Sequence, residues 1–167
     1  TFFIDGQLSD EVTARYPFVF NSFNEAAKAF VAGTEAEPMK VYIAPYVYWI
    51  DNPDDPQVRV GKDGKEPFGL VVKCPYLHLV GLTKNPENVV LASSRGQTQG
   101  AVGNFTMFDF WGDGLSVKNL TMGNYCNVDL EFPLKKELGR KKRMSAITQA
   151  HVAYCHGDKI VAENVRF

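Results

Sequence analysis

Three times along this chain a tight turn feeds a short apolar strand that carries a small or amide residue near its end. Cys74-Pro75-Tyr76 leads into Leu77-His78-Leu79-Val80-Gly81-Leu82. Trp111-Gly112-Asp113-Gly114 leads into Leu115 to Met122 by way of Asn119. His156-Gly157-Asp158 leads into Ile160 to Phe167 by way of Asn164. β-Branched and aromatic residues bounded by Gly and Asp favour strand, turn, strand. From Leu77 to Leu115 is 38 residues and from Leu115 to Ile160 is 45, with another strand inside each interval. Counting that one intermediate strand gives a coil of roughly 20 residues, with about 7 more in the second interval. Units this short bury their inward side chains only by stacking on the next unit, which points to a right-handed parallel β-helix. A β-sandwich of short strands is the competing architecture.

Before the recurrence begins, Phe2-Phe3-Ile4 and Phe18-Val19-Phe20 are extended pieces among polar turns. Ser22-Phe23-Asn24-Glu25 has the form of a capping box, and Phe23, Ala26, Ala27, Phe30 and Val31 follow at helical spacing up to Gly33. This predicts a three-turn α-helix with one buried face. From Met39 the pattern is strand-like: Val41–Ala44, Val47–Ile50, Leu70–Lys73, Leu77–Leu82, Val89–Leu91, Phe105–Phe110, Leu115–Met122, Ile147–Tyr154 and Ile160–Phe167. The segment from Asp51 to Glu66 collects five carboxylates (Asp51, Asp54, Asp55, Asp63, Glu66) around Pro53, Pro56, Gly61 and Gly64. It lacks the order of a calcium-binding loop, so a solvated loop or hairpin is the favoured reading.

The chain of 167 residues fits one domain able to bury a core without disulfide or metal support. A formal net charge of -1 gives no long-range attraction to nucleic acid or acidic membranes. No apolar run reaches membrane-spanning length, and no signal peptide is visible. The three scattered cysteines (Cys74, Cys126, Cys155) form neither a disulfide framework nor a zinc site, and no cofactor or metal is expected. The first residue is Thr1 and the last, Phe167, falls within a strand pattern. An unpaired last rung predicts either further chain or a second fragment stacked upon it.

Residues 124–145 interrupt the coils and account for the longer interval. This segment holds Lys135, Lys136, Arg140, Lys141, Lys142 and Arg143 within nine residues. A solvated loop or helix face is the ordinary use of such a run; the functional one is capture of an acidic polymer by clustered cations.

Gln149-Ala150-His151-Val152-Ala153, then Gly157-Asp158-Lys159, then Glu163-Asn164-Val165-Arg166-Phe167 resembles a stretch of the pectin methylesterase family, in which a Q-A-V-A-L segment is followed after one turn by a strand of the form Y-N-C-R-F. Phe110 to Leu115 with Asn119-Leu120-Thr121-Met122 and Asn124 is similar to another rung of that family, Leu77 to Gly81 resembles a further rung, Val41 to Pro45 resembles its opening strand, and the helix from Ser22 is similar to the α-helix that caps the start of its solenoid. The sequence departs from the family at Tyr46, where glycine follows proline, at Trp49, near the expected glutamate, and in its longer basic insertion.

The resemblance implies a single β-helix domain, of which residues 1–167 form the N-terminal part. It also implies a secreted or periplasmic esterase hydrolysing methyl esters of galacturonan. One aspartate attacks the ester, a second serves as acid and base, and glutamine amides stabilise the oxyanion. Gln149 takes the place of the first such glutamine; the aspartates and the positioning arginine are expected on coils after Phe167, so the piece alone is expected to be inactive. His151, sharing the strand of Gln149, and Lys141 and Arg143 of the insertion are the candidate substrate contacts, with acidic polysaccharide as the partner. Asp158 reads as a turn residue and Arg166 as a strand position. His78, His151 and His156 converge on no Ser or Cys at triad spacing. Phe105, Phe108 and Trp111 are candidates for a sugar-stacking surface, though internal aromatic stacks are their more ordinary use. The alternative function is a non-catalytic carbohydrate-binding or structural β-solenoid; a β-helix lyase or hydrolase would need clustered carboxylates that these strands do not show.

Overall fold

The computed structural model describes residues 1–55, 68–96, 105–145 and 150–167. Within them the chain winds as a right-handed parallel β-helix. The first coil contains β3 (Met39–Ile43), β4 (Tyr46–Asp51) and β5 (Phe68–Lys73). The second contains β6 (Leu77–Gly81), β7 (Val89–Ser93) and β8 (Phe105–Trp111). In the third, one long strand, β9 (Ser116–Asn124), covers two sides of the coil, and β10 (Ala150–His156) forms the next. A fourth coil opens with β11 (Val161–Arg166), while β1 (Phe2–Ile4) and β2 (Val19–Phe20) extend the sheet at the other end. Every pairing among these strands is parallel.

The register corrects the expected coil length. Met39 lies opposite Leu77, His78 opposite Ser116, and Ser116 opposite Val161. A coil is therefore the whole interval of 38 or 45 residues, not half of it. Each winding has three strand-bearing sides, so two further strand segments separate the repeats where the sequence count admitted one.

Alternation along each strand sorts the side chains. Val41, Leu79 and Val117 form one buried ladder, Tyr48, Leu91 and Met122 a second, and Leu70, Phe108 and Ala153 a third, all packed in one core. Phe108 and Phe110 stack with centroids 4.9 Å apart, and Phe23 meets Phe108 edge-on at 5.7 Å. Phe105 and Phe108 are fully buried, so of the three aromatic candidates only Trp111 reaches solvent.

The capping helix, α2 (Phe23–Lys28, following the single turn α1, Asp10–Thr13), is shorter than the sequence spacing predicts. Ser22 Oγ accepts from Glu25 N as the capping box requires. Ala29 N–H already bonds back to Ala26 O and Phe30 N–H to Ala27 O, however, and the chain leaves for Gly33, whose N–H donates to Pro75 O. The helix thus stops at a cross-coil hydrogen bond, and Val31 is left exposed. Asn24 Nδ2 ties α2 to the first coil by donating to Ile50 O at 2.9 Å.

The basic insertion is anchored on the solenoid. Leu130 and Phe132 bury themselves against Val47, Val90 and Ala92, the outward side chains of β4 and β7. Of the carboxylate-rich segment, Pro56 to Glu66 lies outside the described residues. Its first part is a turn in which Asp54 N donates to Asn52 Oδ1. Among the described residues the cysteines are free, no group of three or more metal-ligating side chains converges, and no helix is long and apolar enough to cross a membrane.

Candidate functional site

The third wall of the solenoid is the sheet β5-β8-β10, and its outward face carries a set of polar and aromatic groups. Register places Val71, Asp109 and Tyr154 in one outward row, and Lys73, Trp111 and His156 in the next. In-register stacking brings like positions within one strand spacing, about 4.8 Å. The rings of Trp111 and His156 therefore lie face to face, centroids 3.7 Å apart and 9° from parallel. Tyr154 meets His156 edge-on at 4.3 Å, and Lys73 Nζ stands 6.0 Å from the Trp111 ring centre on the neighbouring rung.

Asp109 holds this arrangement from beneath. It is only 2% exposed; its Oδ2 accepts from Trp111 Nε1 at 2.7 Å and its Oδ1 faces His156 Nε2 at 2.8 Å. A buried carboxylate is tolerated because both oxygens are engaged. Above it Val71, Trp111 and Tyr154 remain about half exposed. Burial, with the charge of Asp109 adding to it, pushes the Cys155 thiol up, away from reactive thiolate.

Gln149 lies outside the described residues, directly before Ala150 at the start of β10. Beside Ala150 and Val152 is a cleft of about 550 Å³, bounded by Asn124, Tyr125, Asp129 and Glu131 of the insertion side and by Arg166 of β11. His151 lies on β10 opposite Thr106 and lines an apolar cavity of about 480 Å³ with Leu115, Val117, Ala153 and Cys155, at the uncovered end of the solenoid.

The two cations proposed for substrate capture have other partners. Arg143 donates to Ser94 O and Oγ, to Asn52 Oδ1 and to Asp54 Oδ1, distances of 2.8 to 3.1 Å. Arg140 also binds Asp54 and lies over the Trp49 ring at 5.1 Å. The hydrogen bond from Arg143, with the charge of both arginines, holds the Asp54 carboxyl below its usual range despite some opposing desolvation. Lys141 is exposed and pairs with Asp129 at 3.2 Å. Both stand on the insertion, over the β4–β7 wall, and not in the row of Trp111 and His156. Asp158 is a turn residue, its N–H on Asp113 Oδ1 and its carbonyl accepting from Gly114. Arg166 pairs with Glu87 across the coils.

Asp109 and His156 were not legible as partners because 47 residues separate them; the one usable signal was the repeated strand-then-turn phase that sets Trp111 and His156 at equivalent points.

No family model matches the sequence, and no curated protein matches it. Solved structures do match its fold. These include a pectin methylesterase point mutant in complex with hexasaccharide IV (TM-score 0.58), a pectin methylesterase in complex with hexasaccharide VII (0.56) and pectin methylesterase PemA from Erwinia chrysanthemi (0.56). Identity is 18% in each case, and the alignment covers 99% of this chain but 42% of theirs. The chain spans less than half the length of the structures whose fold it shares.

Proposed function

We propose that this chain forms the first coils of a pectin methylesterase-like carbohydrate esterase acting on methyl esters of galacturonan, outside the cell. The observation that carries the reading is the fold match, which runs over 99% of this chain and reaches structures holding hexasaccharides. The outward face of β5-β8-β10 supports it chemically. Exposed Trp111 and Tyr154 offer apolar area for sugar rings, and Lys73 offers a cation for a uronate carboxylate.

In this reading Gln149 donates its amide N–H to the oxyanion of the tetrahedral intermediate, a task that needs a donor but no ionisable group. The aspartates for attack and proton transfer come from coils that stack on β10 and β11. The apolar cavity lined by His151, Val117 and Cys155 is the surface those coils would cover. Saccharide capture falls to Lys73, Trp111 and Tyr154; Arg143 serves the site by fixing the insertion.

Methanol release from esterified pectin tests this directly. The full-length gene product is expected to release methanol and residues 1–167 alone are not. Equal release by the short chain would remove the assignment of the aspartates to later coils. Saccharide binding without release by the full-length product would establish the non-catalytic solenoid instead.

A further inference from the structure

On geometry alone, we infer that His156 is a ligand-binding residue of the outer face, its Nδ1 accepting a hydrogen bond from a saccharide hydroxyl, and that Asp109 is the residue that positions it. The inference rests on the acidic-polysaccharide reading above for the class of ligand, a uronate oligosaccharide.

A carboxylate accepts hydrogen bonds and has none to give. Asp109 is buried, takes the Trp111 indole N–H on Oδ2, and turns Oδ1 to His156 Nε2. The hydrogen of that contact therefore sits on Nε2, which in the neutral imidazole form leaves the lone pair on Nδ1. Nδ1 has no hydrogen-bond partner among the described residues, and the His156 side chain is a quarter exposed. Contact with Trp111 on its face and Tyr154 at its edge restricts the ring's rotation. The result is an acceptor fixed in place beside two exposed aromatic rings and one ammonium group, Lys73. Sugar hydroxyls are the donors that such an acceptor suits, and the tautomer makes the site select for a donor at that point.

Nitrogen-15 NMR of the histidines in the whole chain, titrated with trigalacturonate, tests this. The free protein at neutral pH is expected to show His156 as the Nε2–H tautomer, and ligand should move its Nδ1 resonance. Asp109→Asn keeps the shape, but its amide can donate to Nε2 while its oxygen still accepts from Trp111. That variant should invert the tautomer and weaken binding about five- to tenfold, the value of one lost hydrogen bond. His156→Phe, which preserves stacking on Trp111, should weaken it similarly. An Nδ1–H tautomer in the free protein would overturn the inference. So would a titration that shifts the Trp111 indole signal and leaves His156 unmoved, although the polysaccharide reading would then stand. If trigalacturonate shifts neither, both fail together.

Discussion

The side-chain amide of Asn164 donates to Asn119 Oδ1 at 2.8 Å, one coil away, and both residues adopt left-handed backbone conformations, φ +54° and +57°. The same amide donates to Lys84 O. Asparagine tolerates this conformation better than other side-chain-bearing residues, and its amide satisfies the corner it creates. Asn119→Ala and Asn164→Ala should each cost about 1–2 kcal/mol, combining backbone strain with a lost hydrogen bond. Asn119→Gly should cost less, since it relieves the strain. Urea midpoints of the three variants check the order.

Gly81 occupies the matching corner of the coil beneath, where a Cβ would stand 1.9 Å from Asn119 O. That oxygen is backbone and has no freedom to rotate away. Gly81→Ala should therefore push two coils apart and destabilise by about 1–3 kcal/mol or more, as overpacking does. Thermal denaturation should show a larger loss than Asn119→Ala gives.

Arg95 and Asp51 form an ion pair with 1% and 0% of their side chains exposed, Nε to Oδ2 at 2.6 Å and Nη2 to Oδ1 at 2.9 Å. Taking away one partner removes the paired charge from the other in the interior. Arg95→Met should cost about 3–5 kcal/mol, whereas Asp51→Leu combined with Arg95→Met should recover much of that loss. A double-mutant cycle of denaturant midpoints measures the coupling.

Asp54 links the pH of the medium to the insertion. Its carboxyl is held below the usual value of 3.8, chiefly by the Arg143 hydrogen bond. A carboxylate depressed in the folded state contributes stability that is complete above its unfolded pKa and disappears as pH falls through the folded value. Thermal midpoints of the parent and of Asp54→Asn should therefore differ at neutral pH and converge as the pH falls below 3.8 and through the folded-state value. A gap that stayed constant down to acid would contradict this account.

The strands were largely legible because they are written in β-branched and aromatic residues between turns; β6, β8 and β9 lie within two residues of their sequence bounds. Coil length was not, since periodicity along a strand says nothing about how many sides a winding has. Helix α2 was overestimated because helical spacing continued through Phe30 and Val31, where the N–H of Gly33 instead bonds to Pro75. For the candidate site, Trp111 was visible as a possible sugar contact, and the outward row that gives it meaning was not. Its stacked partners Lys73 and His156 stand 38 and 45 positions away, and the arginine run looked free for the same reason: Asp54 and Asn52, which occupy Arg143, lie far upstream.

The burial of Leu130 and Phe132 on Val47, Val90 and Ala92 has a bearing on how this excursion can change length. Its tip at Leu134 to Lys136 is solvated, so residues added or removed there would leave the rest of the molecule undisturbed. Its feet are different. Cutting the loop back past either buried side chain would bare a greasy stripe along the flank and invite self-association, so lengthening is the tolerated direction of change.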